Sequence, residues 1–213
     1  MTHSSSAVEN FRVALIRQLR RGSVKRSDCN GATGKPQIGF ADTLAKLEKQ
    51  KTDLLFQLEN WPPDKLNRRP GPAEWSVLEV LDHIVKTEVQ ILSAARTGLE
   101  RPRRIRIADK LRTLFIQAIF SSDRKVKVPA NSHGLLPDSD LHLSRIVARW
   151  NDSRAELHSF VARGNSELLG SGIFKHPVGG WMGMQEILKF FAVHMVHHQY
   201  QLRRIFISIS GNA

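Results

Sequence analysis

The segment MQEILKFFAVHMVHHQYQLRRIFI, which begins at Met184, constrains this chain more than any other part of it. A helix turns about 100° per residue, and on that wheel Ile187, Phe191, Leu202, Ile205 and Ile209 fall on one stripe. A long helix with one apolar stripe must bury it against other helices or a sheet. Three further segments share the helical period. Around 40–60, Leu44, Leu47, Leu54, Leu55 and Leu58 recur at threes and fours. That helix is expected to stop at Pro62-Pro63, because proline lacks the N–H and disfavours helix before it. A second helix is expected from Ser76 to about Thr97. Ser76 and Glu79 form a capping box at its start, and Gly98 ends it. A third, about 139–163, offers Leu141, Leu143, Ile146, Val147, Trp150, Leu157, Phe160 and Val161 to the core.

Strand patterns and internal repeats are nearly absent, and the loop GNSELLGSGIFKHPVGG before the last helix has no clear period. The connection between the second and third helices, roughly 98–138, is far longer than neighbouring antiparallel helices require. It includes a short helix expected at 107–120 and an extended stretch at 125–130. The fold class read from this pattern is all-α: a four-helix bundle with a long crossover between helices two and three.

Two domains of unequal character follow. Residues 37–210 form the bundle. Residues 1–36 form a basic extension with seven Lys/Arg against Glu9 and Asp28, and its 22–37 portion is polar and Gly/Ser-rich. The one cysteine, Cys29, permits no intrachain disulfide. No apolar run approaches the roughly 18–20 residues of a membrane span, and the first residues lack a secretory pattern. The cytoplasm is the expected location, and no membrane partner is expected. The net charge of +12, with a basic cluster from Arg96 to Arg112, suits a solvated face, or at most weak, salt-dependent attraction to nucleic acid, anionic lipid or anionic substrates.

The stripe of the last helix also carries His194 and His198, within roughly 40° of each other, with His197 at its edge. Residues at i and i+4 stack on one face, so both imidazoles can converge on one ion. Buried imidazoles need partners, and either core hydrogen bonds or a metal would supply them. Met195 stands where a zinc protease has its glutamate base, so that reading has no support. His83 lies off the centre of its helix's apolar face (Leu78, Leu81, Val85, Val89 and Leu92). Periodicity alone makes it a solvated histidine. His176, before Pro177, reads either as a group near a substrate or as an ordinary loop residue. Trp75 and Trp181 read as pocket walls or as packing. Glu79 and Glu186 could orient a ligand imidazole or simply serve the first turns of their helices.

Three pieces of the chain, in this order and spacing, resemble the DinB-like superfamily: RPGPAEWSVLEVLDHIVKTE (69–88), KVKVP (125–129) and HPVGGWMGMQEILKFFAVHMVHHQYQL (176–202). The resemblance covers roughly 40–206. Gly183 stands where the family often has Ser or Thr. The resemblance implies a four-helix bundle that holds one divalent metal ion on His83, His194 and His198. Three imidazoles do not select among Zn, Ni, Mn and Fe. It further implies a metal-dependent enzyme, either an S-transferase or isomerase using a low-molecular-weight thiol with a small-molecule substrate, or a metal-dependent hydrolase. The remaining alternatives are a basic nucleic-acid-associated or damage-response protein without catalysis and a metal-binding structural or sensor protein. No catalytic residue is assigned by the sequence, and a homodimer through bundle faces is compatible with it.

Overall fold

A computed structural model describes residues 37–59, 61–126, 133–164 and 170–210. The basic extension at 1–36 and most of the stretch expected to be extended at 125–130 lie outside the described residues. In chain order the elements are α1 (Gln37–Glu59), α2 (Pro63–Asn67), α3 (Val77–Gly98), α4 (Ile107–Phe120), α5 (Leu143–Arg163), β1 (Phe174–His176), β2 (Gly180–Met182) and α6 (Met184–Ser210). A single turn of 3-10 helix at His133–Leu135 precedes α5. No helix among the described residues is long and apolar enough to cross a membrane.

The four long helices are α1, α3, α5 and α6. Helix α6 packs on both α1 and α3, and α5 packs on α3. All-apolar stripes meet in two clusters. One gathers Leu54, Leu58, Leu81, Ile84, Trp150 and Leu202; the other gathers Leu47, Leu92, Leu157, Ile173, Ile187 and Phe191. Among the described residues the buried charged groups are partnered. Glu88 accepts a hydrogen bond from Arg154 at 2.6 Å and another from the Trp150 indole N–H at 3.0 Å. This ties α3 to α5 inside the bundle, where an unpaired charge would be costly.

The expected capping box is present. The Glu79 N–H donates to Ser76 Oγ at 3.3 Å, and the Ser76 N–H donates to the Glu79 carboxylate at 2.7 Å. Short α2 begins with proline at its first position, where a missing N–H costs nothing, and buries Leu66.

Gly98 does not end α3 in the expected way. Gly180 is the only described residue with positive φ, so Gly98 is no left-handed cap. Its role is close approach. A β-carbon built there falls 2.6 Å from the Ile173 carbonyl carbon, and nearer still to the oxygen.

Ile173 leads into a two-stranded antiparallel hairpin that pairs Phe174 with Met182, Lys175 with Trp181 and His176 with Gly180. The segment was expected to be loop. Strands of three residues are too short to show an alternating pattern, so the hairpin is invisible without its neighbours. Gly180 takes φ +75°, and a β-carbon there would overlap the carboxylate of Asp109. That carboxylate accepts from the backbone N–H of Arg106 at 3.0 Å and of Trp181 at 3.2 Å, so one side chain starts α4 and ties it to β2. These bonds hold the Asp109 carboxyl below its usual range.

The crossover returns along the outer side of α3. Gln90 donates to the Gly134 carbonyl at 2.9 Å and Lys86 to the Leu136 carbonyl at 2.7 Å. Asp82 accepts the Asp138 N–H at 3.1 Å and also pairs with Arg149. A helix edge that periodicity assigns to solvent is thereby covered.

Candidate metal centre

The covered edge of α3 decides the position of His83. It is buried, contrary to the wheel reading, whereas Val89, assigned by the wheel to the apolar face, is 38% exposed. The His83 Nδ1–H donates to the Leu135 carbonyl at 2.8 Å. With that nitrogen occupied, Nε2 faces inward with its lone pair free.

On α6, His194 and His198 stand one turn apart with ring centroids 4.4 Å apart and Nε2 atoms 3.0 Å apart. His198 Nδ1 donates to the side-chain oxygen of Gln201 at 2.8 Å, which points its Nε2 at the same space. The His83 ring lies 5.4 Å from that of His194 and 5.0 Å from that of His198. One ring nitrogen from each of the three lies within 4.8 Å of the other two. Two nitrogens on a tetrahedral zinc would be about 3.3 Å apart, given bonds of about 2.0–2.1 Å. The spacing of His194 and His198 is close to this.

Electrostatics suit such a donor set. Burial pushes the imidazoles of His194 and His198 well below the usual histidine range, reinforced by the other rings nearby. Burial also lowers His83, against the opposing effect of its hydrogen bond to the Leu135 carbonyl. All three are therefore neutral near pH 7, and a metal ligand must be neutral imidazole. The three residues thus fit a divalent ion, and together they could hold one.

Apolar rings wall the cluster. Trp75 lies 5.1 Å from His83, Phe190 stacks on His194 at 5.4 Å, and Phe120 of α4 lies 5.6 Å from His194. Trp75 both lies beside His83 and packs on the first core cluster, so its two readings both stand. Trp181 instead belongs to the hairpin and lines the basic groove beside it. His197 is buried beside His198 and Phe120, with centroids 5.1 Å from each, but its nitrogens do not join the cluster of three. His176 sits on β1 and accepts the N–H groups of Val178 (3.2 Å) and Gly179 (2.9 Å) on Nδ1, so it secures the hairpin turn. Burial pushes it down to about 4.

Neither glutamate orients an imidazole. Glu79 is engaged by Ser76 and Arg69, and Glu186 accepts the Gly183 N–H at 3.1 Å. The orienting groups are Leu135 and Gln201. Gln201 was open to discovery, since i+3 spacing places it beside His198 on α6. A backbone carbonyl such as that of Leu135 leaves no trace in sequence. Of the basic cluster, Arg96 pairs with Glu156 on α5, while Arg103, Arg104, Arg106 and Arg112 gather with Lys175 around a surface groove beside the hairpin.

A family model described as the DinB superfamily matches residues 46–202. The chain is 26% identical over 150 residues to YuaE, an uncharacterized protein of Bacillus subtilis (strain 168); the match covers 70% of this chain and 88% of that one. Among solved structures, Bacillus subtilis YfiT is described as a probable metal-dependent hydrolase with an unusual four-helix bundle topology. It is 15% identical, covers 86% of this chain and 93% of its own, and aligns with a TM-score of 0.47.

Proposed function

The chain belongs to the DinB superfamily, and on that premise we propose that it is a metal-dependent enzyme whose single divalent ion is held by His83, His194 and His198. The observation that carries this reading is the convergence of three buried, neutral imidazoles, two of them aimed by hydrogen bonds on their other nitrogen. In the same reading residues 37–210 form the metal-binding domain and residues 1–36 a basic extension of it.

When bound, a divalent ion on three imidazoles supplies Lewis acidity and keeps coordination positions for a small molecule, so that a water or a thiol can act as nucleophile near neutral pH. The protein's own contribution is orientation and exclusion of water. Leu135 and Gln201 lock two rings, which leaves no freedom for the donor nitrogens to turn away. Trp75, Phe120 and Phe190 line the surroundings with apolar surface, which strengthens charge interactions at the centre. Among the described residues no carboxylate joins the three imidazoles. A low-molecular-weight thiol as co-substrate, giving transfer or isomerisation, is the leading reading, and water, giving hydrolysis, is the alternative; a bound ion would lower the pKa of either nucleophile. The chain's one cysteine is not required for it.

The test is the metal content of untagged protein, wild type beside His83→Ala, His194→Ala and His198→Ala. About one ion per chain is expected in the wild type, and each variant should lose it. Protein that stays empty after reconstitution refutes the metal centre. Retention of the ion by His83→Ala refutes its ligand role. The thiol reading has its own readout. Cobalt-substituted protein should gain a sulfur-to-cobalt absorption in the near ultraviolet on addition of a small thiol. An unchanged spectrum would return the reaction to hydrolysis.

A further inference from the structure

Helix α4 is amphipathic in the wrong sense for a core element. Its inner side is narrow: Asp109, Thr113 and Ile116 are its buried residues. Its outer side is an apolar stripe. Ile107 is 79% exposed, Leu111 62%, Leu114 61% and Phe115 63%, and Ala118 continues the same face. Spacings of three and four place these side chains together over three turns. Scattered surface leucines need no explanation, but a contiguous stripe of this size on one helix does.

Cations frame the stripe. On the wheel Lys110 borders it on one side and Arg112 on the other, and Arg104 and Arg106 stand at its leading end. None of the four forms an ion pair among the described residues. The one acid of the helix, Asp109, is turned inward and held by backbone N–H groups. That bond also caps the helix, so the start of α4 offers no free anion site.

This frame selects the occupant. A second copy laid on the stripe, parallel or antiparallel, would bring only cations against cations at both edges. Residues 1–36 carry seven Lys/Arg against two acids and meet the same repulsion. A nucleic acid would satisfy the cations but not four large aliphatic and aromatic side chains. An anionic bilayer surface satisfies both: the stripe enters the boundary between headgroups and acyl chains, and the flanking Lys and Arg reach phosphates. We propose that α4 is a membrane-surface helix that docks this protein on anionic lipid. Lying on a bilayer needs no spanning segment, so the lack of one, which led to the expectation of no membrane partner, does not bear on it.

The experiment is co-sedimentation of the full-length protein with phosphatidylcholine vesicles, with and without phosphatidylglycerol as a third of the lipid. Binding is expected to the anionic vesicles only, and to weaken with salt. Lys110→Gln with Arg112→Gln should weaken it about thirty-fold, taking each cation near an anionic surface as about fivefold. Leu111→Gln with Phe115→Gln should weaken it at least about tenfold. Both pairs are exposed, so circular dichroism should show unaltered folding. Absence of binding to anionic vesicles overturns the proposal, and so does equal binding to neutral ones. Binding that survives both double variants assigns the lipid contact to another surface and overturns it as well. A dimer in sedimentation equilibrium that Leu111→Gln with Phe115→Gln dissociates would make the stripe a seam between copies, which is equally fatal.

Discussion

Replacing Gly98 by alanine tests the packing logic of the fold through the sign of the effect. Gly98 is the last residue of α3 and its φ is not positive. Judged as a helix residue alone, alanine should stabilise by about 0.5–1 kcal/mol, since glycine loses more backbone entropy on folding. The tertiary structure argues the opposite. The new β-carbon would lie 2.6 Å from the Ile173 carbonyl carbon, where ordinary van der Waals contact begins at 3.4 Å. The obstacle is backbone, at the point where the chain enters the hairpin, so no rotamer change relieves it. Either α3 or the hairpin must retreat, which strains the Ile173 N–H bond to the Met182 carbonyl and the paired bonds between Arg103 and Gly172. Overpacking of this kind costs roughly 1–3 kcal/mol, and an immovable neighbour places it at the upper end. Set against the propensity gain, the net is about 2 kcal/mol of destabilisation. For a chain of this length that corresponds to a fall in Tm of about 4–8 °C. Thermal unfolding followed by circular dichroism measures it. Gly71→Ala is the control, because the nearest atom to its β-carbon is a flexible Glu74 oxygen at 3.5 Å. That variant should stay within about 0.5 kcal/mol of wild type. A Tm for Gly98→Ala equal to or above wild type would refute the close-approach argument.

Glu88→Ala removes the hydrogen-bond partner of the buried Arg154 guanidinium, leaving it only Glu48 at 4.0 Å, and orphans the Trp150 indole N–H, so it should cost about 3 kcal/mol in urea unfolding. Combining Glu88→Leu with Arg154→Met should recover most of that, and failure to recover would mean packing rather than charge was lost. Gln201→Leu keeps the shape of the side chain but frees the His198 ring, so affinity for the proposed metal should drop about tenfold or more in competition with a chelator, while stability changes little. Burial works to raise the Glu48 carboxyl, yet His158 at 3.7 Å, Lys51 at 2.9 Å and the charge of Arg154 outweigh it and hold it down at about 2. Its folded value lies below the unfolded one near 4.5, so its contribution is complete above that pH and fades as pH falls toward 2. Between pH 5 and about 3, wild type should therefore lose stability more steeply than Glu48→Gln; parallel curves would remove Glu48 from the acid response.

The four long helices were legible because each carries a sustained apolar stripe with recognisable ends: Pro62-Pro63 after α1, and the Ser76–Glu79 box before α3. The pairing of His194 with His198 was legible for the same reason, since i,i+4 spacing on one helix is a local property. Gln201 belonged to that local set and was overlooked. The resemblance to a family, rather than the helical wheel, brought His83 to the other two. The wheel misjudged it for a definite cause: amphipathicity reports burial only where one side of a helix faces water.

What the sequence by itself determined, then, is everything set by short-range geometry: the number and length of the main helices, their inward stripes, the capping of α3 and two of the three convergent histidines. Only the tertiary structure decided the rest. The return of the crossover over α3 buries His83 and supplies the Leu135 carbonyl that turns its ring. The hairpin exists because Gly98 lets it close on α3 and Asp109 ties it to α4. These depend on segments 44 to 75 positions apart meeting in space, and no periodicity within either segment records the other's approach.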